Sequence, residues 1–180
     1  FYSDGSLLAE AAKYSLLSGG KRVRPILVMF ANQICGGQLE AALPAAVALE
    51  LVHTYSLVHD DLPLCDDDDL RRGRPTVHVV FGETAALLCG DALLADAFAV
   101  LSGGMTVFGS QNLMQVDCDH AKLKMIAELA QASGTKGMVQ GQVLDMRLDS
   151  NFSAKIGLDA IDMMHGLKTG RLLAAACALG

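Results

Sequence analysis

No cysteine pair in these 180 residues has CxxC spacing. The five cysteines, at 35, 65, 89, 118 and 177, are scattered and odd in number, which argues against a disulfide framework and a structural zinc site. They read as small buried apolar residues. Tryptophan is absent and aromatics make up 5%, so the 52% that is hydrophobic is mostly aliphatic. So apolar a composition excludes a disordered chain. Proline is missing after residue 75, its four copies being at 25, 44, 63 and 75, so long helices are permitted beyond that point. Clean apolar runs are missing as well. Glu50 and His53 interrupt 41–58, and Asp91 and Asp96 interrupt 85–101, so no stretch reaches the roughly 20 residues expected of a membrane span. Phe1 to Ser6 lacks the basic start and apolar run of a signal or transit peptide, and the expected location is cytoplasmic. A basic excess is also lacking, with 14 Lys and Arg against 20 Asp and Glu. Six of those acids are Asp60, Asp61, Asp66, Asp67, Asp68 and Asp69, so the net charge of −6 is one local feature. Nucleic acid needs a basic face, and none is expected as a partner.

What the chain does have is helical periodicity. Segments 7–18, 26–35, 44–61, 84–101, 121–133, 137–148 and 158–178 are rich in Ala, Leu and Met, with polar residues every three or four positions. The best strand candidate, Val77 to Phe81, has no neighbour to pair with. The expected fold class is all-α, a bundle of nearly apolar helices buried on most sides, forming one domain over 1–180. Turn chemistry marks breaks at Gly19-Gly20, Gly36-Gly37, 62–76, 102–119 and 150–157, none long enough for a domain linker. The last helix is still apolar at Leu179, which reads as a fragment of a longer bundle.

The acidic run reads His59-Asp60-Asp61-Leu62-Pro63-Leu64-Cys65-Asp66-Asp67-Asp68-Asp69, at the end of an apolar helix. A solvated acidic loop is the bland alternative. Carboxylates this dense repel unless a cation sits among them, and hard divalent cations such as Mg²⁺ take carboxylate oxygens. Six positions on a regular helix would put Asp60 and Asp66 about 240° apart. Pro63 breaks the helix, and a loop there can return Asp66 to Asp60. An EF-hand is excluded, because neither the Gly at position six nor the Glu at position twelve is present. Gly19-Gly20-Lys21-Arg22-Val23-Arg24-Pro25 places Lys21 and Arg24 at the N-terminus of a helix whose first turn accepts Pro25, where an anion is favoured. No GxxxxGK[ST] phosphate loop occurs. Together with Arg71-Arg72, the charges suit two phosphate groups, one held through metal and one by Lys and Arg. His53 lies two turns before Asp60 and shares its face. Gln142 and the pair Lys168-Thr169 are polar interruptions of apolar helices, and Asp91 and Asp96 read as buried carboxylates, either hydrogen-bonded structural residues or helix-pairing partners.

GGKRVRP, HDDLPLCDDDDLRRGRPT, GQVLD and KTG, in that order, resemble the motifs of the trans-isoprenyl diphosphate synthases, and most of all the bacterial farnesyl type. The resemblance covers nearly the whole chain. It implies a class I isoprenoid synthase bundle around a deep apolar pocket, usually a homodimer, condensing isopentenyl diphosphate with an allylic diphosphate. Asp60 and Asp66, supported by Asp61, would hold Mg²⁺. Lys21, Arg24, His53 and Arg72 look like the isopentenyl diphosphate site, and Arg71 and Lys168 like contacts to the allylic diphosphate. Thr169, Gln142 and the Lys168 carbonyl would stabilise the developing cation. Tyr55, five residues before Asp60, and its neighbour Ser56 look like the chain-length positions. A bulky Tyr55 would floor the pocket at a fifteen-carbon product, with a geranylgeranyl-type synthase as the alternative. A noncatalytic regulatory subunit and a terpene cyclase are the other readings. Two features depart from the family pattern: the connection 102–119 is long, and no second aspartate-rich motif occurs, because no Asp-Asp pair lies outside 60–69.

Overall fold

The computed structural model describes residues 2–105, 119–150 and 157–180, with 149 and 150 by backbone only. Most of the long connection 102–119, the break at 151–156 and Cys118 lie outside the described residues. In chain order the elements are α1 (Leu7–Leu16), α2 (Val23–Ile34), α3 (Leu39–Asp60), β1 (Leu70–Arg71), β2 (Arg74–Pro75), α4 (Val77–Phe81), α5 (Glu83–Ser102), α6 (Asp119–Ser133), α7 (Met138–Ser150), α8 (Leu158–His165), a π-helical turn (Gly166–Gly170) and α9 (Arg171–Leu179). Among the described residues the fold is all-α apart from one small hairpin.

Every expected helix is present, and the differences at their ends have local causes. Ser6 caps α1 by accepting the Ala9 N–H at 3.2 Å. α3 begins five residues before Pro44, which lies inside it and is buried. Val77 to Phe81 is a helical turn and not a strand. The expected helix 158–178 is opened by the π-helical turn over Gly-Leu-Lys-Thr-Gly. By length and composition α3 and α5 do meet the requirement for a membrane span, which corrects the stricter reading of their polar interruptions. In this fold 61% of the apolar stretch of α3 and 39% of that of α5 is buried inside the protein.

The described residues of 1–23 and 47–111 form one compact unit, and those of 24–46 and 112–180 form a second. In the first, α1 turns Ala9, Ala11, Ala12 and Ser15 inward and packs on α5. The buried row of α5, Ala86, Cys89, Leu93, Ala97 and Val100, recurs every three or four residues. Gly90 admits the His59 ring of α3 where a Cβ would collide with it, and a His59 ring nitrogen lies 2.9 Å from the Leu87 carbonyl. In the second unit α6 packs on α9, and α7 packs on the π-helical turn. Gly141 permits the latter contact, because a Cβ there would run into the Lys168 backbone.

Burial corrects two sequence expectations. Cys89 is buried, but Cys35 and Cys177 are exposed and Cys65 is intermediate. Asp96 accepts the Tyr2 hydroxyl at 2.7 Å, as expected of a structural carboxylate, whereas the Asp91 side chain is 62% exposed and lies 4.0 Å from His59. Leu87 and Leu88 share the outer side of α5 with Asp91 and are half exposed, so apolar neighbours in sequence were a poor guide to its burial.

Candidate active site

In the first unit α3 ends at Asp60, and Pro63 stops it. The Asp66 N–H then donates to the Asp60 carbonyl at 2.8 Å, and Cys65 and Asp67 both donate to the Leu62 carbonyl. The chain thus loops out and rejoins the helix end, which is the return that the spacing and Pro63 predict. Asp66, Asp67, Asp68 and Asp69 are exposed and Asp60 is half-buried. Asp61 differs from them. It is 4% exposed and takes the Arg71 Nε at 2.5 Å, with Arg71 also 3.8 Å from Asp68. Burial raises the Asp61 carboxyl above its ordinary range, and the Arg71 hydrogen bond and charge oppose that rise.

Arg71 and Arg72 stand on a hairpin in which Leu70 pairs with Pro75 and Arg71 with Arg74. Its turn, Arg72-Gly73, has φ of 55° and 77°, the left-handed pair that the tightest hairpins require. Thr76 closes the base by donating its N–H to the Asp69 carbonyl at 2.9 Å. Arg72 reaches the Gly19 carbonyl, and a Cβ on Gly20, at φ 121°, would strike its guanidinium. Arg22 donates to Glu50 of α3 and to the Leu16 carbonyl. Lys21 is exposed and makes no ion pair among the described residues. A cleft lies between α1, α3 and the hairpin, lined among others by Tyr14, Ser18, Thr54, Asp61, Arg71 and Arg72.

Along α3, His53, Ser56 and Asp60 are spaced as one face, with His53 and Ser56 about 20° and 40° from Asp60 around the axis. The Ser56 hydroxyl donates to the His53 carbonyl at 2.8 Å. Tyr55 lies about 140° from Asp60. It is buried, and its ring meets His59 edge-on with centroids 5.6 Å apart. Burial, and then the Asp60 charge, push its hydroxyl up to about 12.

The second unit holds the remaining candidates. Arg24 is in the first turn of α2, half-buried. The Gln142 amide of α7 has both polar atoms buried with no hydrogen-bond partner among the described residues, which costs about 1–3 kcal/mol unless a partner arrives. Lys168, in the π-helical turn, donates to Asp145, and Thr169 beside it is exposed. π-Helical turns inside α-helices occur frequently at functional sites.

Among the described residues no three His, Cys, Asp or Glu side chains converge as a ready metal cage. The donor set of the acidic turn nevertheless fits Mg²⁺: all oxygen and densely charged, with an exposed Asp66 returned by its backbone to a half-buried Asp60. A cation that keeps several waters needs only one or two carboxylates from the protein. Sequence reasoning missed Tyr14, which no motif marks. It noted Glu50 only as a polar interruption, and it quoted Thr76 and Asp145 within motifs without seeing Thr76 as the base of the hairpin or Asp145 as the partner of Lys168.

A polyprenyl synthetase family model matches residues 5–180. The large subunit 1 of a heterodimeric chloroplast geranylgeranyl pyrophosphate synthase from Arabidopsis thaliana is 47% identical over 171 residues, 95% of this chain and 44% of that protein. Crystal structures of a geranyltransferase from Legionella pneumophila and of an FPP/GFPP synthase from Zymomonas mobilis superpose with TM-scores of 0.84 and 0.86 at 38% and 41% identity. They cover 98% and 96% of this chain and 58% and 59% of theirs. The chain thus spans less than half the length of that plant relative. Its motifs, its helical fold and the family match over residues 5–180 agree, and the chain belongs to the polyprenyl synthetase family.

Proposed function

We propose that the whole protein is a prenyltransferase that joins isopentenyl diphosphate to an allylic diphosphate, and that its product is the twenty-carbon geranylgeranyl chain. The observation that carries the transfer reading is the acidic turn running straight into the arginine hairpin, which puts carboxylates for a cation and guanidinium groups for phosphate within twelve residues, Asp60 to Arg71. Asp60 and Asp66 would hold Mg²⁺. When bound, it supplies the Lewis acidity that makes an allylic diphosphate a good leaving group.

The chain's own groups do the rest. Lys21, Arg24, His53 and Arg72 are the proposed anchors of isopentenyl diphosphate, and Arg71 and Lys168 of the allylic diphosphate. Gln142 has an amide without a partner among the described residues, and its oxygen suits a cation that develops in a dry pocket. Thr169 and the Lys168 carbonyl are proposed to join it. After the new carbon–carbon bond forms, a proton leaves the adjacent carbon to the released diphosphate or to water. Apolar helix walls keep water from quenching the cation first.

Two observations favour the longer product over the fifteen-carbon one. Two similar plant proteins are named as a geranylgeranyl pyrophosphate synthase and as the large subunit of a heterodimeric one. Along α3, the face of Asp60 carries the small Ser56, while Tyr55 turns to His59. Ser56 leaves room for a longer tail. A second chain of the same fold is the proposed partner, and one relative is the large subunit of a heterodimer. Incubation with Mg²⁺, isopentenyl diphosphate and farnesyl diphosphate, followed by chromatography of the dephosphorylated products, tests the reading. Geranylgeraniol supports it, and unconsumed substrates refute it.

A further inference from the structure

We propose that Tyr14, outside every recognised motif, is a positioning residue that holds the hairpin presenting Arg71 and Arg72 to a diphosphate. This rests on the prenyl-transfer reading above. Tyr14 is in the last turn of α1. Its hydroxyl donates to the Pro75 carbonyl at 2.8 Å, its ring lies 4.6 Å under the Arg74 guanidinium, and its edge meets Phe81 of α4 at 5.5 Å between centroids. One side chain therefore grips the second strand of the hairpin at two points and also the helix that follows.

The hairpin needs such a grip. Two residues per strand cannot hold together alone in water. Among the described contacts its other ties are the Thr76–Asp69 backbone bond and the two arginines themselves, Arg71 on Asp61 and Arg72 on the Gly19 carbonyl. Those arginine ties use the N–H groups that a phosphate would recruit. When an anion draws on them, the hairpin loses part of its support at the moment its position matters most. The Tyr14 contacts involve neither Arg71 nor Arg72, so they persist through binding.

The test compares the whole protein with Tyr14→Phe, which keeps the ring and loses the hydrogen bond, and with Tyr14→Leu, which loses both. Titration with Mg²⁺ and inorganic pyrophosphate by calorimetry, steady-state kinetics and thermal melts are read together. Expected are a pyrophosphate Kd and an isopentenyl diphosphate KM raised about fivefold in Tyr14→Phe, the equivalent of about one hydrogen bond. Tyr14→Leu should raise both further, with kcat within about twofold of the parent in each, since only placement of the anion is altered. Unchanged Kd and KM, or a lowered melting temperature with kcat falling and KM constant, would overturn the proposal and leave Tyr14 a packing residue. A parent that binds pyrophosphate, loses affinity in both variants and yet transfers no prenyl group would refute the proposed function while supporting Tyr14. A parent that binds no pyrophosphate would overturn both.

Discussion

The arginine hairpin and the place where α7 packs on the π-helical turn both hold proposed site residues, and they differ in whether those residues are satisfied. At the hairpin, Arg71 has Asp61, Arg72 has the Gly19 carbonyl, and Pro75 has the Tyr14 hydroxyl. At the π-helical turn Lys168 is paired with Asp145, but Gln142, next to the glycine against which that turn packs, has an amide with no partner among the described residues. A group that must grip a polyanion can be held in place by exchangeable hydrogen bonds. One that must face a short-lived cation is most useful when nothing else already occupies its oxygen. If the proposed roles hold, the difference separates binding from stabilisation, and substitutions at the two places should part in sign.

The largest expected effect is at the acidic turn that feeds the hairpin. Asp60→Asn and Asp66→Asn should each lower turnover by at least ~100-fold, as loss of a main electrostatic group does, with thermal melts near those of the parent. Normal turnover in either variant would remove that residue from the proposed metal site. Next comes Asp61→Ala, which leaves the Arg71 guanidinium without its buried partner. A loss of about 2–4 kcal/mol is expected in denaturant unfolding, so here stability falls where Asp60→Asn leaves it intact. Gln142→Leu should do the reverse of Asp61→Ala. Replacing an unsatisfied amide by an apolar group of similar size should raise stability by up to about 1 kcal/mol, while turnover falls about tenfold or more. A destabilised Gln142→Leu would mean that the amide has a partner after all, and the comparison would fail.

Smaller effects sharpen the contrast between closed and open positions. Burial pushes the Cys89 thiol up to about 11, against a Ser15 hydrogen bond that pulls it down, so the folded state resists ionising it. The stability that this lends is whole below the ordinary thiol value of 9.0 and is lost as pH rises toward about 11. Denaturant melts between these limits should therefore decline less steeply in Cys89→Ala than in the parent. At pH 8, thiol reagents should modify Cys35 and Cys177 before Cys89, because both are exposed and Cys89 is not. Equal rates would contradict the packing of α5.

How much of this could be read in the sequence follows from which forces act locally. The helices were legible because period and proline placement are local, and so was the return of Asp66 to Asp60, since Pro63 leaves the chain little else to do. The hairpin was not legible. Leu-Arg-Arg-Gly-Arg-Pro contains no strand former, and its shape comes from two left-handed residues and from contacts to α1 and Asp61. Asp61 read as a support of the metal pair, and its ion pair with Arg71 was not legible because only the fold turns it inward. The π-helical turn was hidden because Gly-Leu-Lys-Thr-Gly continues the apolar period of its neighbours, and the wide turn arises where α7 packs against it. The exposure of Cys35, Cys177 and Asp91 was missed for a related reason, since composition does not say which side of an apolar helix is left uncovered.

Product length tests the account most directly, because it joins the transfer reading to the geometry of α3. Supplied with isopentenyl diphosphate, an allylic diphosphate and Mg²⁺, the whole protein should yield geranylgeranyl diphosphate. Ser56→Phe, which fills the Asp60 face of the helix, should shift the main product to fifteen carbons, while Tyr55→Ala should leave it at twenty. A parent that stops at farnesyl diphosphate and lengthens its product only in Tyr55→Ala would contradict the account and make Tyr55 the floor of the pocket.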